Sequence, residues 1–357
     1  MPYSEYLYVT CMNMSGGVSP EIRAFRLRNV DGYGGRTNDV VYCPPATPSS
    51  EPSTVVFFGG DVQDFPENMQ SHRDHKHYIK WNLEDTGRLI RSQFQDCHVV
   101  VVRPYRLVIL MIEYKTFSSF ENFVPCNNCG VPEHTPMHFA LQHLEKLLEM
   151  ISERLETASI GQLEKLVCNN SFLCQDDSTE NELQFFRNSL PSSTSIEVSS
   201  LKNLNPAKYW WREGIKLHKN NLILIGFSKG CVVLNQFLYE FHYLKTLTPD
   251  DNTSMSIVSR IKDMYWLDGG HSGGKNTWIT SRSLLETLTR LGIRVHVRVT
   301  PYQITDDRRP WIKKEEKMFT EMLQKLGANI DRSVHFESSL PNLYTHFDVL
   351  TVINPTN

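Results

Sequence analysis

The sequence predicts an α/β fold with a mostly parallel sheet and helices on both faces. Short β-rich runs alternate with amphipathic stretches along most of the chain, the pattern of strand–helix–strand units. Of its 357 residues 40% are hydrophobic and 22% charged, which excludes a disordered or collagen-like chain and leaves ample apolar material for a core.

The elements follow in order. Val55 to Phe58 is a buried-strand run stopped by Gly59 and Gly60. Asn82 opens a helix running to Phe94, with Asn82 as N-cap and Asp85 in the first turn. His98 to Val102 is the next strand. Phe139 to Ile151 has apolar residues at i, i+3, i+4 spacing and reads as a helix. Leu222–Phe227 is a strand and Cys231–Tyr243 a helix; Met264–Leu267 is the strand after it. Ser281–Leu291 is a helix ended by Gly292, Arg294–Val299 a strand, and Trp311–Leu326 a helix ended by Gly327. Val334–Glu337 is the last strand and Phe347–Ile353 a terminal helix. Between 153 and 220 the chain is rich in Ser, Asn and charge and lacks steady periodicity. The expectation is one domain over 1–357 carrying a polar, partly disordered insertion at 153–220.

Charge and cysteine content exclude several classes. The net charge of −3, from 37 basic and 40 acidic residues, gives no reason to expect nucleic acid or an anionic membrane surface as partner. Eight cysteines are too sparse for a disulfide scaffold, so an intracellular, reduced setting is expected. The most apolar stretch, His98–Ile112, is broken by Arg103, Pro104 and Arg106 and falls short of the roughly 20 apolar residues of a membrane span. No Lys or Arg precedes Arg23, so neither a secretory signal nor a mitochondrial presequence is recognisable, and the cytosol is one expectation.

The segment from Asn221 to Gln236 carries the chemistry. It is a strand, then Gly226-Phe227-Ser228-Lys229-Gly230, then a helix. A bare G-x-S-x-G is also an ordinary Gly-rich turn, but the strand before it and the helix after it favour the nucleophile elbow of an α/β-hydrolase. The strand-to-helix turn is so tight that side chains two residues either side of the serine would collide with neighbouring backbone. It exposes the Ser228 hydroxyl at the C-terminal edge of the sheet, with the Lys229 N–H and a helix N-terminus beside the developing oxyanion. A hydrolase of this type then needs an acid and a base in the chain order Ser, Asp/Glu, His. His346, after the last strand, is the base expected to reach back to Ser228. Asp306, on the loop after Arg294–Val299, is the preferred acid. Asp268, at the end of the strand directly after the elbow strand, is the alternative. The Phe58–Gln63 loop should supply the second oxyanion donor, from the amide of Asp61 or Gly60.

Two further clusters bear on ligands. Gly269-Gly270-His271-Ser272-Gly273-Gly274 lacks the order of a phosphate or dinucleotide loop and is expected to line the pocket beside the triad. Cys126 and Cys129, with His134 and His138 nearby, imitate a zinc pattern. No second pair completes a module, so no metal is expected. Arg103–Pro136 is a candidate lid whose Tyr105, Tyr114, Phe117, Phe120 and Phe123 would suit an acyl chain; packing of these aromatics against the core is the commoner alternative.

The strings VVFFGGDVQDF, NLILIGFSKGCVVLNQFLYE, MYWLDGGHSGGKNTWIT and VRVTPYQ resemble the uncharacterised chromosome-two open-reading-frame sixty-nine family. The resemblance spans Ser53 to Val349, the Ser-rich insert matching poorly. It implies an α/β-hydrolase-like fold, a serine-hydrolase site at Ser228 with His346 and an Asp as partners, and an association with mitochondria, without naming a substrate. The functional expectation is a cofactor-free serine hydrolase cleaving a carboxylic ester or thioester of an acyl or lipid substrate. The rival is a catalytically silent hydrolase scaffold acting as a mitochondrial binding or regulatory protein, since fold does not fix function.

Overall fold

The computed structural model describes residues 22–108, 116–128, 130–168, 206–246 and 252–354. Its strands are β1 (Phe25–Asp31), β2 (Thr37–Cys43), β3 (Ser53–Phe58), β4 (His98–Val102), β5 (Tyr105–Val108), β6 (Thr116–Ser119), β7 (Asn221–Phe227), β8 (Ile261–Leu267), β9 (Arg294–Val299) and β10 (Ile330–Val334). Its helices are α1 (Pro66–Ser71), α2 (Leu83–Gln93), α3 (Ala140–Thr157), α4 (Ile160–Leu166), α5 (Cys231–Thr246), α6 (Asn252–Arg260), α7 (Arg282–Arg290), α8 (Pro301–Ile304), α9 (Pro310–Lys325) and α10 (Leu343–Asp348).

Eight strands form one sheet in the order β1-β2-β4-β3-β7-β8-β9-β10, with β5 and β6 paired separately. From β4 to β10 every neighbouring pair is parallel, and β2 runs antiparallel to both β1 and β4. With helices on both faces and a strand–Ser–helix turn at the C-terminal end of β7, this is the expected α/β-hydrolase fold. The central strands are buried on both sides, and their side chains divide by parity. Val55, Phe57, Val99 and Val101 join one core; Val56, Phe58, Val100 and Val102 join the other.

Local signals hold where the sequence pattern was strong. The Asn82 side chain accepts the Glu84 and Asp85 amides at 2.9 and 3.0 Å, capping α2. Gly292 and Gly327 follow their helices at φ 69° and 78°, the left-handed conformation that ends a helix without strain in glycine alone.

Four features differ from expectation. β1 and β2 were not foreseen: β1 reads FRLRNVD and is interrupted by a register shift between Leu27 and Val30, which breaks the alternation. β10 lies at Ile330–Val334, earlier than Val334–Glu337, because it is an edge strand whose side chains are half-buried or exposed and whose pattern is therefore weak. The terminal helix starts earlier too. Asn342 caps α10 by accepting the Thr345 amide at 3.0 Å, which puts His346 inside a helix. Finally, the insertion expected at 153–220 is helical at both ends. Leu155, Leu163, Tyr209, Trp211, Ile215 and Leu217 are buried in the core, and residues 169–205 lie outside the described set.

Of the candidate lid segment Arg103–Pro136, residues 109–115 and 129 lie outside the described set. Phe120 and Phe123 are buried against Phe58, with ring centroids 5.7 and 5.1 Å away, so they are core residues. Tyr105 is exposed, and Tyr114 lies outside the described residues. Among the described residues no helix is long and apolar enough to cross a membrane.

Candidate active site

Ser228 stands where β7 ends and α5 begins, joined by one 3-10 turn over Ser228–Gly230. Its φ is 53°, a left-handed conformation that a non-glycine residue adopts at a cost of roughly 1–2 kcal/mol. The flanking glycines are required by close approach. A Cβ at Gly226 would sit 2.8 Å from the Cys231 Cα, and one at Gly230 would sit 1.9 Å from the Phe58 carbonyl oxygen. Packing on both sides therefore holds the serine in its strained turn.

His346 is buried and its Nδ1 lies 2.7 Å from Oδ2 of Asp268. Two aromatic rings flank the imidazole, Phe227 from the end of β7 at 4.6 Å and Tyr302 from α8 at 4.7 Å between centroids. Asp268 directly follows β8 with φ 48° and is wholly buried. Its amide donates to the Arg298 carbonyl at 2.7 Å. Its carboxylate accepts the Thr300 amide at 2.7 Å and the Thr300 hydroxyl at 2.6 Å as well as the imidazole. Three acceptor bonds on a dry carboxylate fix its direction, so Asp268 sets the ring orientation of His346 and leaves Nε2 as the nitrogen available for proton transfer.

Asp306, the preferred acid, is engaged elsewhere. Its Oδ1 accepts the Arg308 amide and Nε, both at 3.0 Å, and its Oδ2 accepts Arg308 Nη2 at 3.2 Å and Arg309 Nε at 2.9 Å. The Arg308 and Arg309 guanidiniums hold this carboxyl well below the usual carboxylate range. The carboxylate on His346 is Asp268. The reason is topological: α8 turns the chain aside after β9, while the tip of β8 lies directly beside Thr300.

The three expected oxyanion donors separate as well. Lys229 follows Ser228 and is buried. Gly60 is not available, because its N–H donates to Gln63 Oε1 at 3.0 Å. Gln63 in turn donates to the Trp81 carbonyl at 2.8 Å and the Thr86 hydroxyl at 2.9 Å, pinning the loop after β3. Asp61 is the remaining candidate on that loop and lines the site.

Ser228 and His346 share one cavity of about 290 Å³ with Gly60, Asp61, Gly270, His271, Tyr302 and Arg309 among its other walls. This is at the lower end of the roughly 300–1,000 Å³ common for small-molecule pockets. The Gly269–Gly274 loop lines it as expected, through Gly270, His271 and Ser272. Gly270 lets Gln303 approach, since a Cβ there would sit 2.3 Å from the Gln303 amide nitrogen. A larger cavity, about 1100 Å³, lies among Arg26, Glu67, Glu84, Arg154 and Lys165, but none of the expected site residues lines it. Volume does not select the site; the serine, imidazole and carboxylate do.

Thr300, Tyr302 and Gln63 were not legible in the sequence. The TPYQ string that contains two of them gives no catalytic pattern. In the zinc-like cluster, His134 Nε2 meets the Val232 carbonyl at 3.1 Å and His138 Nε2 the Glu121 carbonyl at 2.9 Å. Cys129 lies outside the described residues, and among those described no group of three or more His, Cys, Asp or Glu could hold a metal ion.

Comparison with known proteins agrees with the string-level resemblance. The chain is 36% identical over 295 residues to the mitochondrial protein C2orf69 homolog of Mus musculus, covering 83% of this chain and 76% of that protein. It is 34% identical over 299 residues to mitochondrial protein C2orf69 of Homo sapiens, covering 83% and 72%. Among solved structures, esterase Est22 aligns with a TM-score of 0.41 and 10% identity over 94% of this chain and 79% of that one, a likeness too low to say anything of activity. The C2orf69 family model matches residues 26–329, a stretch that contains Ser228 and Asp268, and the chain belongs to the C2orf69 family.

Proposed function

We propose that the protein is a serine hydrolase that cleaves a small carboxylic ester or thioester. The observation that carries this reading is the strained Ser228 turn opening onto the same cavity as an imidazole whose far nitrogen is held by a buried carboxylate. Ser228 Oγ attacks the acyl carbon as His346 Nε2 takes the hydroxyl proton. The tetrahedral oxyanion is met by the Lys229 amide and by a donor from the Asp61 loop. Collapse passes the proton from His346 to the leaving alcohol or thiol and leaves an acyl-serine. Water, deprotonated by the same imidazole, then releases the acid and restores Ser228. Asp268 holds the tautomer and stabilises the imidazolium. The cavity volume favours a short acyl group over a long chain. The relatives named as mitochondrial proteins support the same compartment for this chain.

One observation favours the silent scaffold instead. The Gly60 amide is spent on Gln63, which removes one of the two candidates on that loop for the second oxyanion donor. A fluorophosphonate probe separates the two readings. Labelling of the wild type that disappears in Ser228→Ala is the expected result. A folded wild type that never labels is the outcome that would transfer the site to the scaffold reading.

A further inference from the structure

We propose that Arg309 is the specificity residue of the Ser228 site, reading a carboxylate or phosphate on the substrate away from the bond that is cut. The inference rests on the hydrolase reading for its site and extends it to a substrate class.

Arg309 lines the cavity that contains Ser228 and His346, and its side chain is 25% exposed, so it stands at the open end while His346 is enclosed. Its Nε is held by Asp306 Oδ2 at 2.9 Å, and its guanidinium carbon lies 5.9 Å from the Tyr302 ring centroid. The head group is thus oriented through one nitrogen, which leaves the two terminal nitrogens to present a planar fork of N–H donors. That fork matches two oxygens of a carboxylate or phosphate.

Asp306 is shared between Arg308 and Arg309, so one carboxylate faces two guanidiniums and does not neutralise Arg309 by itself. The acids nearby are Asp307, next in the chain and exposed, and Asp61, which lines the cavity and is itself engaged in an interaction. His271 supplies no opposing charge. Its Nδ1 accepts the Gly273 amide at 2.9 Å, which puts the proton of the neutral ring on Nε2. The Asn276 carbonyl lies near the ring without hydrogen-bonding Nε2. Burial, with Lys229 and Arg309 close by, lowers the pKa of this imidazole and keeps it neutral. A cavity with a fixed guanidinium at its mouth suits an anionic ligand better than a neutral one.

The test compares p-nitrophenyl butyrate with p-nitrophenyl hydrogen glutarate in wild type, Arg309→Gln and Arg309→Lys, with fluorophosphonate labelling of each protein alongside. The wild type should prefer the glutarate ester in kcat/KM by a factor of roughly 10–100, the size of one charged hydrogen-bond pair. Arg309→Gln should collapse that ratio, chiefly through KM, and Arg309→Lys should restore part of it. Inhibition by glutarate but not inorganic phosphate assigns a carboxylate; the reverse assigns a phosphate. An unchanged ratio in Arg309→Gln proteins that still label overturns the role of Arg309 and leaves the hydrolase reading standing. If nothing labels, the hydrolase reading fails, and titration calorimetry with glutarate and phosphate decides Arg309 separately. Binding by wild type that Arg309→Gln loses supports it, and no binding to wild type overturns it.

Discussion

His346 Nδ1 lies 2.7 Å from Asp268 Oδ2, a contact that joins residues 78 positions apart and ties α10 to the tip of β8. The bond is enclosed: Asp268 has no exposed surface and His346 almost none. Buried against the ring, this carboxylate governs which tautomer the imidazole adopts.

Replacing Asp268 with Asn should therefore cost roughly 10³–10⁴ in kcat while the protein stays folded, the scale of losing the tautomer-setting acid of a Ser-His-Asp triad. Asp306→Asn should lose only a small factor, in KM more than kcat, because it acts by orienting Arg309. Steady-state kinetics on both variants decides the acid. Comparable kcat losses would remove Asp268 from the special position that its contacts support.

The left-handed turn at Ser228 makes a stability prediction of opposite sign to activity. Ser228→Ala removes the hydroxyl and keeps the strain, whereas Ser228→Gly removes both. Thermal or urea melts should show the glycine variant more stable than the alanine variant by about 1 kcal/mol, with labelling absent in both. An alanine variant at least as stable as glycine would mean the turn stores no strain.

Gly230→Ala should be destabilising beyond the usual large-residue penalty. Its new Cβ would meet the Phe58 carbonyl oxygen at 1.9 Å and carbon at 2.5 Å, and backbone at the end of β3 has little freedom to yield. A loss at or above the upper end of about 1–3 kcal/mol is expected in urea unfolding. A wild-type midpoint would show that the β3–elbow contact is looser than its distances imply.

Acid should weaken the fold well before most carboxylates titrate. Burial pushes the His98 imidazole down to about 4 and, with help from the Arg36 charge, that of His143 down to about 3. Both rings are bonded in neutral form. His98 Nδ1 lies 2.8 Å from the Tyr42 hydroxyl, and His143 takes the Tyr33 amide on Nδ1 and meets Asn38 Oδ1 at 2.8 Å. The unfolded chain binds these protons from about pH 6.5 downward while the folded chain refuses them. Stability is thus full above that pH and falls as pH drops toward 4, by on the order of 2 kcal/mol per histidine at pH 5. Urea midpoints at pH 7.5 and 5 measure it, and His143→Asn should flatten the difference. Equal midpoints would contradict the neutral, buried state of both rings.

How much of this was legible depends on the range over which each signal acts. The elbow could be read directly, since strand, glycines, serine and helix are consecutive from Asn221 to Thr246, and steric demands within one turn leave a local pattern. The alternation of buried strands and capped helices was equally local. β1 escaped because arginines and a bulge interrupt its period, and β10 because an edge strand is only half covered. Chain order selected His346 but could not choose between Asp268 and Asp306, both of which sit after strands beyond the elbow.

By itself, then, the sequence determined the α/β order, the strand–Ser228–helix turn and the histidine after the last strand, all of which follow from short-range sterics and burial. Tertiary structure alone decided the rest. The pairing of β8 with β9 sets Asp268 beside Thr300 and under His346, whereas Asp306 folds back on Arg308 and Arg309. Gln63 takes the Gly60 amide because α2 brings Thr86 within reach of its other end. Such choices depend on which side chains meet across the sheet, and hydrogen-bond partners distant in sequence are selected by packing, which no local pattern records.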